Sequence, residues 1–231
     1  MPLRGTMVII DQQEVKLPAY VTKPDKASNK SPGVILLHDW MGLGNFTKIV
    51  ADRYASLGFL TIAPDLYLGT LPSNTDEARK LSSAVSTQLS KKLLDGTLVY
   101  LKALDISKVG ITGFCFGGTH AFNQVCESGD LSAGAIYYAT RLPSDEQLKK
   151  ISAPLLIIYG DQDGNVSMNK IRQLENSLKV LGKDAKVLVY SGCPHAFLNE
   201  ESKENYQPEA AKDAWEKTTQ FFTSRLSDWQ S

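Results

Sequence analysis

The chain has 231 residues, enough for one sizeable α/β core without a linker between domains. Its 25 basic and 25 acidic side chains cancel, which excludes the broad positive field of non-specific nucleic-acid binding and favours a small, local ligand. No apolar run approaches the roughly 18 residues of a membrane span, and the first residues lack the apolar stretch and cleavage site of a signal peptide, so a soluble, cytoplasmic protein with no membrane partner is expected.

In chain order, residues 7–10 and 15–23 are β-rich and separated by polar residues, which predicts an edge hairpin. After a polar stretch at 25–31, residues 33–38 are short, branched and almost wholly apolar, the pattern of a strand buried on both faces. An amphipathic stretch at 46–57 and a strand at 59–63 follow, then helical patterns at 75–89 and 91–104. Strands are predicted at 109–112, 134–138, 155–159 and 187–190, with helix-like stretches between them, one at 119–126. Polar residues 200–207 read as a loop leading into a last helix at 208–226. This alternation predicts an α/β fold over 1–231: a mostly parallel central sheet, right-handed crossovers, and helices on both faces. Chemistry in such a sheet belongs at the carboxyl ends of the strands.

Three cysteines, Cys115, Cys126 and Cys193, show no C-x-x-C spacing, and an odd number cannot all close into internal disulfides, so a reducing compartment suits them. His38, His120 and His195 are far apart and lack zinc-binding spacing, so no metal is expected.

The strongest local signal is Gly113-Phe-Cys115-Phe-Gly117-Gly118, a G-x-C-x-G that follows one strand and precedes one helix. Small residues two positions either side of the centre relieve a strained turn, and the helix N-terminus behind it favours a thiolate. Taken alone, Cys115 would be a buried structural thiol; its context argues for a nucleophile. Asp161 and Asp163 lie in the loop after the next strand but one, and His195 follows the strand after that. Nucleophile, acid and histidine thus come in the chain order of a hydrolase triad at successive strand ends, and spacing leaves the choice between the two acids open.

Over nearly its whole length the chain resembles the dienelactone hydrolase family. The likeness is carried by the elbow around Cys115, by Pro64-Asp-Leu-Tyr67, by the paired Tyr137-Tyr138, and by His38-Asp39-Trp40-Met41-Gly42, where the family has His-Glu-x-x-Gly. The resemblance implies an α/β-hydrolase fold, a triad of Cys115, Asp163 and His195, and an oxyanion hole made by the backbone N–H groups of Trp40 and Phe116. It gives Asp39 the place of a carboxylate that gates the resting thiol, one methylene shorter than the family's glutamate. Tyr67 and Tyr138 are candidates for the pocket lining, a position that packing explains equally well. Asn199 stands where the family carries a substrate-binding arginine, so that anion clamp is missing, and Arg79 or Arg141 are the cations that loops could offer instead. His38 is read as loop support and Cys193 as a small apolar filler. The expected activity is hydrolysis of a small-molecule ester or lactone through a thioester acyl-enzyme, with no cofactor and the oligomeric state left open. The alternatives are a general small-acyl carboxylesterase or thioesterase and a non-catalytic binding protein on the same scaffold.

Overall fold

The computed structural model describes residues 3–12, 14–25 and 31–226, so most of the predicted polar stretch at 25–31 and the two ends of the predicted domain lie outside the described residues. Strands β1 (Thr6–Asp11) and β2 (Lys16–Thr22) form the expected antiparallel hairpin, with Thr6 opposite Val21 and Asp11 opposite Lys16. Every residue of β3 (Gly33–Leu37), β4 (Leu60–Pro64), β5 (Val109–Phe114) and β6 (Ala133–Tyr137) is buried. These are the near-continuous apolar runs of strands covered on both faces. With β7 (Leu155–Gln162) and β8 (Ala185–Pro194) they complete an eight-stranded sheet of order β1-β2-β4-β3-β5-β6-β7-β8, parallel from β4 across to β8. β2 joins β4 antiparallel, placing the hairpin at one edge as the sequence implied.

Helices α1 (Asn45–Ser56) and α7 (Pro208–Leu226) meet through Tyr54, whose ring lies 4.6 Å from that of Trp215 and 5.9 Å from that of Phe222. Gly110 of β5 admits α7, since a Cβ there would stand 2.8 Å from Leu226. Gly134 of β6 admits α4 (Phe116–Glu127), since a Cβ there would stand 2.9 Å from Val125 and 3.9 Å from Ile111. Ile111 alternates with Gly110 along β5, so α7 and α4 cover opposite faces. Helices α3 (Thr87–Ala103), α5 (Asp145–Lys149) and α6 (Met168–Val180) extend the α4 layer.

Several boundaries differ from the sequence reading: β7 runs past residue 159 to Gln162, so Asp161 lies in the strand and not in the loop, and β8 spans Ala185–Pro194 where 187–190 was expected, the pairing with β7 carrying both strands on. Helical patterns at 75–89 and 91–104 implied a break near residue 90, but α2 (Thr75–Ala84) ends earlier and α3 begins at Thr87. Val85 adopts an extended conformation with its side chain buried, and the Ser86 hydroxyl caps α3 by accepting the Leu89 N–H. Burying Val85 outweighs continuation of the helix.

Candidate active site

Cys115 joins β5 to α4 with φ 55° and ψ −111°, a strained conformation for any residue with a Cβ. The surrounding backbone enforces it: the Cys115 N–H donates to Tyr137 O at 3.1 Å, and Cys115 O accepts from the Thr119 N–H at 3.0 Å. The flanking glycines are required by close approach, because a Cβ on Gly117 would lie 2.3 Å from His38 O and one on Gly113 would lie 2.5 Å from Gly117 O. The thiol is free, half-buried, and set at the N-terminus of α4.

Asp163 follows β7 and His195 follows β8, its parallel neighbour. Asp163 Oδ2 lies 2.7 Å from His195 Nδ1, its side chain is fully buried, and its Oδ1 accepts the Asn165 N–H at 2.8 Å. Asp161 is partly exposed and occupied elsewhere, accepting the Gly192 N–H at 2.7 Å and the Ser191 hydroxyl at 3.1 Å. Of the two acids that spacing left open, Asp163 is the one beneath the imidazole. Burial lowers the His195 pKa, but hydrogen bonding to Asp163 and Cys115 and the charge of both outweigh it, raising the value to about 9. His195 Nε2 is itself buried without a well-formed hydrogen bond.

Around this core, Asp39 Oδ1 accepts the Met41 N–H at 2.8 Å and Oδ2 accepts from Asn199 Nδ2 at 3.4 Å. Burial raises the Asp39 pKa, and among the described residues its carboxylate makes no hydrogen bond to Cys115. His38 is fully buried; its Nε2 accepts the Leu66 N–H at 3.1 Å, so Nδ1 carries the proton and donates to Asp39 O at 2.6 Å. Burial lowers its pKa, and the neutral ring fastens the loop, as expected from the sequence. Tyr67 lines neither cleft at the nucleophile; its hydroxyl donates to Trp40 O at 2.9 Å and so fixes that peptide. The backbone N–H groups of Trp40 and Phe116 donate to nothing among the described residues. Tyr138 packs edge to face on His195, ring centroids 5.0 Å apart.

Two clefts meet at Cys115, Trp40 and His195. One, of about 770 Å³, is walled by Ser82, Ser86 and Thr87 of the α2–α3 segment and by Thr140, Arg141 and Asn165. The other, of about 390 Å³, is lined by Asp39, Tyr138, Asn199 and Glu201. Arg141 therefore stands in the larger cleft, whereas Arg79 pairs with Asp76 at 2.9 Å on an exposed face of α2. The hydroxyl wall escaped sequence reading because serines at a helix junction look like caps. Thr119 was likewise missed, although its Oγ1 accepts the N–H groups of Thr140 and Arg141 at 3.0 and 3.2 Å and fixes that loop. Cys193 is 4% exposed and packs on Gly160, as a small apolar filler does.

The sequence profile of the dienelactone hydrolase family matches residues 17–226. "Protein usf" of Aquifex pyrophilus is 33% identical, the alignment covering 96% of this chain and 100% of that protein. A protein of Aquifex aeolicus named "Putative carboxymethylenebutenolidase" is 31% identical, with 96% and 99% covered. Among solved structures, a dienelactone hydrolase-like promiscuous phosphotriesterase from metagenomic libraries superposes with TM-score 0.86 at 21% identity, covering 96% of this chain and 98% of that one. An esterase from Thermogutta terrifontis does so with TM-score 0.74 at 15% identity, covering 99% and 97%. The structural likenesses show a shared α/β-hydrolase fold.

Proposed function

This chain belongs to the dienelactone hydrolase family, and from that premise we propose that it hydrolyses a carboxylic ester or lactone with Cys115 as nucleophile, His195 as base and acid, and Asp163 as the imidazole's anchor. The observation that carries this reading is the 2.7 Å contact from buried Asp163 to His195, made beside a cysteine held at positive φ on a helix N-terminus. Relatives named carboxymethylenebutenolidase support the substrate class.

The Cys115 thiolate attacks the carbonyl carbon, and the oxyanion that develops is met by the free N–H groups of Trp40 and Phe116. Tyr67 holds the Trp40 peptide in place for this task. The His195 imidazolium gives its proton to the departing alkoxide or enolate, leaving a thioester on Cys115. Acylation consumes the thiolate, whose hydrogen bond and charge help to raise the His195 pKa, so the imidazole then stands neutral and ready to take a proton from water. The hydroxide adds to the thioester carbon, the C–S bond breaks, and its electron pair returns to Sγ. A thiolate is a good leaving group, so the cycle suits activated esters and enol lactones more than amides. Asp39 stands in the family's gating position, its oxygens accepting from Met41 and Asn199. With Asn199 holding Asp39, an anionic group on the substrate finds its cation in Arg141.

The test is alkylation of Cys115 with iodoacetamide while p-nitrophenyl acetate hydrolysis is followed, with Cys115→Ala and His195→Ala alongside. Labelling at Cys115 is expected to abolish hydrolysis, and each substitution to lower kcat/KM by at least about 10³-fold. Undiminished hydrolysis by Cys115→Ala would sink the assignment.

A further inference from the structure

The phenol oxygen of Tyr138 is buried with no protein hydrogen-bond partner, and Nε2 of His195, also buried, has only the Cys115 thiol to turn to, without a well-formed hydrogen bond. Buried polar groups are paired in the great majority of cases, so an orphan at a reactive centre marks a place for a small polar ligand. The two rings meet edge to face with centroids 5.0 Å apart, and both residues line the smaller cleft together with Cys115 and Asp39. Tyr138 is 1% exposed and held at φ 36°, a region that bulky residues enter only when their surroundings force it. The backbone is pinned on both sides: the Tyr138 N–H donates to Ile158 O of β7 at 2.8 Å, and Tyr137 O accepts the Cys115 N–H of the elbow at 3.1 Å.

Resting on the hydrolase reading above, we propose that Tyr138 is a further catalytic residue, which with His195 holds the water that cleaves the thioester. One hydrogen of that water points to His195 Nε2 and the other to the Tyr138 oxygen, leaving an oxygen lone pair for the carbonyl carbon. The C–O bond forms as Nε2 takes the first proton; the C–S bond then breaks, its electron pair returns to Sγ, and the product leaves as a carboxylic acid. Thiolate and imidazolium are restored together. Burial and the negative charges of Asp39 and Cys115 keep the phenol protonated, so it serves as a fixed neutral partner. Acylation uses no water and therefore does not need Tyr138.

That asymmetry sets the test. Tyr138→Phe keeps the ring and its packing and removes no protein hydrogen bond, so its thermal unfolding should match the parent. With p-nitrophenyl acetate under rapid mixing, the expected result is a burst of p-nitrophenol at the parent rate, close to one equivalent per chain. The steady-state kcat should fall by about tenfold or more with KM falling in step, and intact-mass analysis should find the acyl group on Cys115. Parent-like kcat, burst and kcat falling together, or loss of the fold would each overturn the role given to Tyr138. The underlying reading fails separately, through turnover with no acyl adduct on Cys115 in either protein and full activity in Cys115→Ala.

Discussion

Asp163 buries its carboxylate under His195, while Asp161, two positions earlier, gives its oxygens to Gly192 and Ser191. Replacing each by Asn separates their roles. Asp163→Asn is expected to lower kcat/KM for p-nitrophenyl acetate by about 10²–10⁴-fold, because the imidazole loses both its orientation and its counter-charge. Asp161→Asn, a change at the partly exposed end of β7, should stay within about twofold; equal losses in the two variants would contradict the assignment. The His195 pKa of about 9 gives a second prediction, because part of the upward pull comes from Cys115. In Cys115→Ala the imidazole should titrate at lower pH, read by NMR, and an unchanged value would mean that the thiol does not reach it. The sign for stability follows: a folded pKa above the unfolded value of about 6.5 contributes fully below that pH, and the contribution is lost as pH rises through about 9. The order of nucleophile, acid and histidine was legible in the sequence. The choice between Asp161 and Asp163 came only from the family resemblance and not from spacing, because β7 and β8 shift register between Gly160 and Gln162, which redirects the side chains that follow in a way spacing does not encode.

At the scale of elements, the elbow is a junction of three close backbones. Gly117→Ala would put a Cβ 2.3 Å from the His38 carbonyl oxygen, which is backbone and cannot swing aside. A loss of about 1–3 kcal/mol in thermal or urea unfolding is expected, together with loss of Cys115 alkylation, since the clash displaces both the elbow and the loop that follows β3. Gly129→Ala, whose Cβ would meet nothing within 4 Å, is the control and should leave both unchanged; an elbow variant as stable and as reactive as the parent would refute the argument. G-x-C-x-G made this element readable, because its glycines answer a local steric demand. The central strands β3 to β6 were equally plain as apolar runs, whereas β8, only partly buried, was legible only over part of its length. The α2–α3 break was not, since the amphipathic pattern runs through it, Ser82, Ser83, Ser86 and Ser90 are all possible caps, and burial of Val85 is a tertiary effect.

Over the whole molecule, alternation of strand and helix fixed the class of fold, whereas the strand order and the two clefts arise from pairings and loop placements with no local signature. The groups of the proposed mechanism are spread along that order: Trp40 follows β3, Cys115 follows β5, Asp163 follows β7 and His195 follows β8, the last of the described strands and an edge of the sheet. Chains are made from the N-terminus, so the cysteine emerges well before its partners, and non-local pairings form late. Until β8 docks on β7, Cys115 has no imidazole beside it. On the proposed mechanism, reactivity at that sulfur reports completion of the sheet, and a chain stalled or misassembled on the way lacks the histidine that would activate it.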